Sequence, residues 1–388
     1  MKLIKYALHY LFCITLLLSV NSHAQSIVVG AEQWDVYKPL LKNKKVGLVV
    51  NQTSLVNGQH LVDFLLSKNV KVKAIFAPEH GFRGNHDAGA VVDNNIDTKT
   101  NLPIISIYGK NKKPSQDVLT DLDVILFDIQ DVGLRFYTYL SSMHYMMEAS
   151  ADADIKFIVL DRPNPNIAFV DGPILEEEFR SFVGMHPIPI LHGMTLAELA
   201  LMIQGEGWLN TENTLNLNVI TVKNYTRDKR YSLPIKPSPN LPNDQAIRLY
   251  PSLTFFESTY VSLGRGTVYP FQVLGHDKYF IGNFNFTPVS MPGSALNPKL
   301  MDKELTGQDL RNVDIKGLDL SLLIQWYQQF KQHDAEFFKS PSFMDKLSGT
   351  DKIRKMILAG NSEEQIVETW KEDLIEFKRQ RKQYLLYK

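Results

Sequence analysis

The sequence contains a single cysteine, Cys13, among its 388 residues. Cys13 falls within residues 1–24, a segment typical of a secretory leader, so the rest of the chain has neither a disulfide framework nor a thiolate metal ligand. An excess of charge is also missing, because 42 lysines and arginines balance 42 aspartates and glutamates. A nearly neutral chain gives no electrostatic reason to expect nucleic acid or an anionic membrane as a partner.

Long apolar runs are scarce, and the one near the N-terminus is too short to span a membrane. Lys2 and Lys5 precede the apolar segment 7–20, and Ser22-His23-Ala24 provides the small residues that a signal peptidase recognises. We therefore expect residues 1–24 to be a signal peptide cleaved after Ala24. The mature protein would then carry a net charge of about −2 and be periplasmic or secreted, without a membrane span.

Two common catalytic signatures are missing as well. The chain has no Gly-x-Ser-x-Gly elbow and no Gly-x-x-x-x-Gly-Lys-Ser/Thr phosphate loop, which removes the usual signs of serine acyl transfer and of nucleotide hydrolysis. Gly264-Arg265-Gly266 lets the backbone approach a ligand closely but lacks the third glycine of a dinucleotide-binding motif. No cofactor is indicated, and nothing in the sequence points to an oligomeric state.

Short apolar runs alternate with longer amphipathic ones, which predicts a mostly parallel sheet covered by helices on both faces. Strands are expected at 46–50, 72–76, 104–108, 124–127, 157–160 and, more weakly, 217–222, and helices at 61–68, 115–122 and 138–151. A chain of this length suggests about two domains. The resemblance to a known family given below implies a Rossmann-like α/β catalytic domain over residues 25–230 and a second, smaller α+β C-terminal domain over 231–388 that completes a cleft.

Residues 231–253 contain five prolines and several small polar residues. This composition predicts an extended segment with little regular secondary structure. The segment is expected to be either a linker between the domains or a loop draped across the cleft.

Polar residues follow the carboxyl ends of four predicted strands. They are Asn51-Gln52-Thr53, Glu79-His80, Asp128 with Gln130-Asp131, and Asp161-Arg162-Pro163-Asn164. The carboxyl ends of parallel strands share one edge of the sheet, and ligands bind in the crevice beyond that edge. These residues therefore predict a polar cleft. Carboxylates, arginines, tyrosines and amides in one cleft suit a carbohydrate, on which carboxylates carry out acid/base chemistry.

Several of these segments together resemble the exo-acting β-N-acetylmuramidases of the NamZ type, a family long classed as a domain of unknown function. The resemblance extends over roughly residues 44–388 and is carried by residues 77–84 (Ala-Pro-Glu-His-Gly-Phe-Arg-Gly), 128–139, 160–165, 170–173 and 264–271. It implies a secreted or periplasmic glycoside hydrolase. Such an enzyme removes β-1,4-linked N-acetylmuramic acid from the non-reducing end of peptidoglycan-derived saccharides.

The resemblance places the catalytic carboxyl at Glu79, which would protonate the leaving glycosidic oxygen. His80 is expected either to hold Glu79 or to satisfy the backbone of a turn. Asp131, Tyr139 and Glu257 are alternatives for the second catalytic group. A separation of about 5–5.5 Å between two carboxyl groups would favour retention and about 6.5–9.5 Å inversion. The acetamido carbonyl of the substrate is a further alternative as nucleophile.

N-Acetylmuramic acid carries a lactyl carboxylate, which requires a cation for recognition. The candidate cations are Arg135, Arg162 and Arg265, although Arg162 beside Asp161 would also suit an ion pair and Arg265 would also suit a loop brace. The residues expected to contact substrate are Arg83, Arg135, Tyr137, Arg162, Asn164 and Arg265.

Two other functions fit the same residues. A metal-dependent hydrolase would use the oxygen and nitrogen ligands Glu79, His80, His86, Asp87 and Asp128. A non-enzymatic periplasmic sugar-binding protein would also have two α/β domains about a cleft.

Overall fold

The computed structural model describes residues 26–82 and 94–388. The predicted signal peptide lies outside these residues, as do Arg83, His86 and Asp87 of the predicted site. Within the described ranges, no helix has the length and apolar character needed to cross a membrane.

A seven-stranded sheet forms the centre of the N-terminal domain. The strands of this domain are β1 (Lys45–Val50), β2 (Leu55–Val56), β3 (Gln59–His60), β4 (Lys71–Ala77), β5 (Asn95–Ile96), β6 (Pro103–Ser106), β7 (Val124–Asp128), β8 (Lys156–Leu160) and β9 (Leu217–Ile220). β2 and β3 form a separate hairpin, and the others are ordered β5-β6-β4-β1-β7-β8-β9. All neighbours in the sheet are parallel except β5 and β6. The six predicted strands and the mostly parallel sheet are confirmed.

Helices cover both faces of this sheet. They are α1 (Trp34–Leu41), α2 (Leu61–Ser67), α3 (Gln116–Leu119), α4 (Tyr139–Asp152) and α5 (Leu196–Gly205). The predicted helices at 61–68 and 138–151 are confirmed, and the one at 115–122 is shortened to a single turn.

The pleat of β1 shows why its sequence is apolar from Val46 to Val50. Val46, Leu48 and Val50 belong to the core beneath α1 and α2, whereas Val49 belongs to the core on the face that carries α4 and α5. Successive side chains of a strand point to opposite faces, so a strand covered on both sides is apolar at every position. This burial fixes the position of the carboxyl edge of the sheet.

The C-terminal domain is smaller and combines a short antiparallel sheet with helices, as predicted. Its strands β10 (Val273–His276), β11 (Phe284–Phe286) and β12 (Leu305–Asp309) are ordered β10-β12-β11. Its helices are α6 (Asp244–Leu253), α7 (Ser321–Lys331), α8 (Pro341–Ser348), α9 (Lys352–Leu358), α10 (Glu363–Glu368) and α11 (Lys371–Arg381).

Helix α6 corrects part of the prediction for residues 231–253. Residues 231–243 lack regular secondary structure, but the second half of the segment is helical. The Asn243 side chain accepts a hydrogen bond from the Ala246 backbone N–H at 2.9 Å and so caps the helix. Burial of Ile247, Leu249 and Leu253 then stabilises a helix that the prolines alone do not suggest.

Arg135 joins the two domains through backbone carbonyl groups. Its side chain is fully buried, and the guanidinium donates to Pro173 O at 2.8 Å, Ile188 O at 2.7 Å, Leu347 O at 3.3 Å and Ser348 O at 2.5 Å. The last two carbonyls end α8, where a cation is favoured by unpaired carbonyls and by the helix dipole. Gly349 follows with φ +75°, and a Cβ there would lie 2.4 Å from Arg135 Nη2.

We expect Arg135→Met to lower the free energy of unfolding by about 3 kcal/mol or more, because four buried carbonyls lose their donor. Urea-induced unfolding measures the change. The matched control is Arg180→Met, which removes an exposed ion pair with Glu177 and should change stability by less than about 0.5 kcal/mol. Equal unfolding midpoints for the two variants would contradict a clamping role for Arg135.

Candidate active site

Glu79 lies at the carboxyl edge of the sheet, two residues beyond the end of β4. The Tyr108 hydroxyl donates to Glu79 Oε1 at 3.0 Å, and the Thr138 hydroxyl donates to Oε2 at 2.6 Å. Tyr108 follows β6, the neighbour of β4, and Thr138 immediately precedes α4. Because a hydroxyl can both donate and accept, the two groups can hold the carboxyl in either protonation state.

The turn after Glu79 has an unusual backbone. His80 is buried and has φ +68°, and Gly81 follows with φ +74°. A left-handed conformation costs a residue with a Cβ on the order of 1 to 3 kcal/mol and is found disproportionately at functional sites. This turn ends β4 abruptly and leaves Glu79 at the mouth of a pocket.

The pocket beside Glu79 lies between the two domains and has a volume of about 70 Å³. Its walls contain side chains from both domains: Glu79, His80, Phe136, Tyr137, Thr138, Ser238, Asn240, Leu241, Tyr250, Arg265 and Phe271. The aromatic rings contact one another, with centroids 5.5 Å apart for Phe136 and Tyr250 and 4.9 Å apart for Tyr250 and Phe271. The pocket therefore combines an anchored carboxyl, an aromatic wall and a guanidinium.

Arg265 reaches the pocket from the C-terminal domain in a fixed orientation. Its Nε and Nη2 atoms lie 2.7 and 2.6 Å from Glu257 Oε1, and the guanidinium lies over the Phe271 ring at 5.0 Å from the centroid. The Glu257 carboxylate is therefore occupied by this ion pair, and it holds the Arg265 guanidinium in one orientation.

Asp131 and Tyr139 do not line the pocket. Asp131 Oδ2 accepts from Gly133 N at 2.6 Å, whereas Oδ1 has no hydrogen-bond partner within the described part of the chain. Burial raises the pKa of Asp131 to about 7, against the lowering effect of backbone hydrogen bonds from Gly133 and Val132. The Tyr139 hydroxyl donates to Pro237 O at 3.4 Å.

Three predicted substrate contacts do not line the pocket and have protein partners. Arg162 donates to both carboxylate oxygens of Asp128, at 2.5 and 2.9 Å, and not to its chain neighbour. Asn164 Nδ2 donates to Met194 O at 2.9 Å. Arg135 donates to the carbonyls that join the domains, although its Nε has no partner among the described residues. Their roles in substrate binding stay predictions.

Four of the residues predicted from sequence meet in the pocket, namely Glu79, His80, Tyr137 and Arg265. Sequence reasoning missed Tyr108, Thr138, Tyr250 and the pair Ser238 and Asn240. The position of Tyr108 at the end of a predicted strand next to β4 could have indicated it. Ser238 and Asn240 belong to the segment for which a loop draped across the cleft was one of the two expectations.

A larger cleft of about 640 Å³ lies between the loop that begins at Pro173 and the C-terminal helices. Its walls include Glu176, Lys352, Trp370 and Phe377. Glu176 pairs with Lys352 at 2.9 Å, and no strand-end carboxyl of the sheet faces this cleft. Size alone therefore does not make it the candidate active site.

Over residues 26–82 and 94–388, no group of three or more histidine, cysteine, aspartate or glutamate side chains is arranged to hold a metal ion. His86 and Asp87, two ligands of the metal-dependent alternative, lie outside the described residues. The metal-dependent hydrolase stays a prediction.

Fold and pocket together define a class, that of two-domain α/β enzymes with a carboxyl at the mouth of an interdomain pocket. The particular family is shown by comparison with known proteins. Residues 46–245 match the N-terminal domain and residues 248–387 the C-terminal domain of exo-β-N-acetylmuramidase NamZ. The chain belongs to the NamZ family, as the resemblance in its motifs predicted.

The relatives are similar over nearly their whole length. A curated relative from Bacillus subtilis (strain 168), named peptidoglycan β-N-acetylmuramidase NamZ, is 37% identical over 378 residues, which cover 90% of this chain and 89% of that protein. A crystal structure of a DUF1343 family protein from Bacteroides fragilis has a TM-score of 0.86 at 49% identity and covers 94% of this chain and 99% of its own. A second such protein from the same organism has a TM-score of 0.81 at 30% identity, with 93% and 99% covered.

The raised pKa of Asp131 predicts a pH-dependent contribution to stability. An aspartate titrates near 3.9 when unfolded and here near 7 when folded, so the folded state binds more protons between these values and loses stability as the pH rises. Asp131→Asn does not titrate. We expect the stability of wild type relative to this variant to fall by about 2 to 4 kcal/mol between pH 4.5 and pH 8. Chemical denaturation at both pH values measures it, and a difference independent of pH would refute the assignment.

Proposed function

We propose that this protein is an exo-β-N-acetylmuramidase. It hydrolyses the β-1,4 bond of N-acetylmuramic acid at the non-reducing end of peptidoglycan fragments. The observation that carries the proposal is membership of the NamZ family over both domains, and the site supports it with Glu79 anchored at the mouth of the pocket. The activity for which the Bacillus subtilis relative is named agrees with this substrate class.

Glu79 acts as general acid in this proposal. Its proton passes to the glycosidic oxygen as the bond to the anomeric carbon breaks, and water supplies the hydroxyl of the released sugar. The Tyr108 and Thr138 hydroxyls keep the carboxyl aimed at the pocket before and after the transfer. Glu79 is then reprotonated from solvent.

The contacts of the candidate residues narrow the choice of the second catalytic group. Glu257 forms an ion pair with Arg265, and Asp131 and Tyr139 are not part of the pocket wall around Glu79. These placements favour the acetamido carbonyl of the substrate as the group that attacks the anomeric carbon. Hydrolysis of the resulting ring by water would then complete the reaction.

Arg265 recognises the lactyl carboxylate that distinguishes muramic acid from glucosamine. Its pair with Glu257 uses Nε and Nη2, which leaves Nη1 to donate to a ligand. A charged, oriented guanidinium that binds one carboxylate discriminates strongly against a sugar without it.

The proposed location is periplasmic or extracellular. The support is the leader-like sequence of residues 1–24, with Lys2 and Lys5 before an apolar segment and small residues before the expected cleavage point. Peptidoglycan is found in that compartment, so the proposed location and the proposed substrate agree.

Glu79→Gln should lower kcat for release of the chromophore from a chromogenic N-acetylmuraminide by about 100-fold or more, because the amide cannot donate the required proton. Glu176→Gln is the matched control, since Glu176 lies in the larger cleft, and should retain wild-type kcat. Equal rates for wild type and Glu79→Gln would remove Glu79 from the chemistry. A wild-type protein that binds the fragment without releasing muramic acid would instead be the sugar-binding protein.

Arg265→Gln should lower the preference for a chromogenic muraminide over the matching N-acetylglucosaminide by about 100-fold, measured as the ratio of the two kcat/KM values. The kcat/KM value for the muraminide should decrease and that for the glucosaminide should not, because only the muraminide carries the carboxylate. Arg311→Gln is the control, since Arg311 forms an ion pair with Asp309 in the same domain. An unchanged ratio in Arg265→Gln would show that another group reads the carboxylate.

A further inference from the structure

Among the described residues, several buried polar atoms near the carboxyl edge of the sheet have no hydrogen-bond partner, and three of them bear on the pocket. They are Asn51 Nδ2, Asp131 Oδ1 and the Tyr137 hydroxyl, on side chains that are 0%, 5% and 7% exposed. Each buried polar atom left unpaired costs about 1 to 3 kcal/mol. Unpaired atoms of this kind require an explanation, and a ligand that pairs them is one.

The three atoms belong to neighbouring parts of the fold. Asn51 follows β1, and Asp131 lies beyond the end of β7, the parallel neighbour of β1. Asn51 Oδ1 accepts from the Thr53 hydroxyl at 2.6 Å, and that hydroxyl accepts from Gln130 N at 3.0 Å, so the two strand-end loops are joined. Because Asn51 Oδ1 is engaged, the unpaired atom of this amide is its donor.

Tyr137 connects this group of atoms to the pocket. It lines the pocket with Glu79, and its ring centroid lies 4.9 Å from that of Tyr139 and 6.0 Å from that of Tyr250. Burial raises the pKa of Tyr137 far above the physiological range, with further contributions from nearby Tyr139 and Tyr250. Tyr137 is therefore a neutral phenol that can both donate and accept.

Residues 234–241, called the strap here, cover this edge of the sheet. The strap lacks regular secondary structure. Gln52 Nε2 donates to Pro237 O at 3.1 Å, and the Tyr139 hydroxyl donates to the same oxygen at 3.4 Å. Asn240 Nδ2 donates to Ser294 O at 2.9 Å at the other end of the strap. The inner side of the strap is thus held to the N-terminal domain by long, neutral hydrogen bonds.

The small volume of the pocket favours a movement of the strap when a sugar binds. At about 70 Å³ the pocket is far smaller than the roughly 300 to 1,000 Å³ of ordinary ligand sites. Ser238, Asn240 and Leu241 of the strap form part of its wall. Displacement of the strap therefore enlarges the pocket on the side of Asn51 and Tyr137.

We infer that the strap moves away from Gln52 and Tyr139 to admit the amino sugar, and that Asn51 Nδ2, Asp131 Oδ1 and the Tyr137 hydroxyl then bind its hydroxyl and acetamido groups. An amide donor, a carboxyl acceptor and a phenol that does both match the mixed donors and acceptors of a saccharide. The inference rests on the proposed function and specifies the sugar subsite of that activity.

Tyr137→Phe and Tyr260→Phe test the subsite as a matched pair of variants. Phenylalanine at 137 removes a hydroxyl that is unpaired in the free enzyme, so the free energy of unfolding stays equal or rises. The kcat/KM for a chromogenic N-acetylmuraminide falls at least tenfold, because the sugar loses a partner. Tyr260→Phe removes an exposed hydroxyl that donates to Glu336 away from the pocket, so its kcat/KM stays within about threefold of wild type.

Hydrogen exchange measured by mass spectrometry tests the strap. Addition of N-acetylmuramic acid to wild type should change the exchange of the amides of residues 235, 236, 238, 240 and 241, and Tyr139→Phe should speed their exchange in the free protein. If hydrogen exchange of the strap amides is unchanged at saturating N-acetylmuramic acid, the inferred movement of the strap is wrong.

The remaining outcomes distinguish a wrong subsite from a wrong proposed function. Loss of stability in Tyr137→Phe shows that its hydroxyl is already satisfied in the free enzyme, and this overturns the subsite whatever the kinetics. Unchanged kcat/KM in an active Tyr137→Phe overturns the subsite alone. A wild-type protein that releases no muramic acid overturns the proposed function itself.

Discussion

The burial of one positive charge between the two domains sets the geometry on which the candidate site depends. Among the described residues Arg135 has no carboxylate partner, and carbonyl groups from both domains bind its buried guanidinium, so separation of the domains would break its hydrogen bonds to Leu347 O and Ser348 O. Phe136, Tyr137 and Thr138 follow directly in the chain. The residue that fixes the domains therefore also fixes one wall of the pocket and a hydroxyl that holds Glu79.

The sequence predicts the sheet well because burial on both faces leaves a local signature. The apolar runs at 46–50 and 124–127 need no knowledge of their neighbours to be read as strands, and Glu79 is found because it follows such a run. Helix α6 was missed because Asn243 provides a cap and the contacts that bury its apolar side come from elsewhere in the chain. Tyr108 was missed for a similar reason, since its contact with Glu79 depends on the pairing of β4 with β6.

The partners of charged residues are the part of the site that sequence analysis predicts least directly. Arg135, Arg162 and Asn164 lie in the same dense motifs as Glu79, yet their partners are protein groups that hold the strand ends and the domains in place. A polar residue at the edge of a sheet can either bind a ligand or satisfy a neighbouring loop. The choice depends on carbonyls and carboxylates that are distant in sequence, and composition and spacing do not encode it.

The hydrophobic core is continuous between the two domains, and this continuity affects how the protein unfolds on heating. The cluster that contains Val49 and Phe127 of the sheet also contains Phe255, Trp326 and Trp370 of the C-terminal domain, so no layer of water separates the two halves. Unfolding of one domain alone would expose the apolar surface that it shares with the other, which favours a single cooperative transition. Thermal inactivation and global unfolding should then coincide, and neither half is expected to remain as a stable fragment after proteolysis.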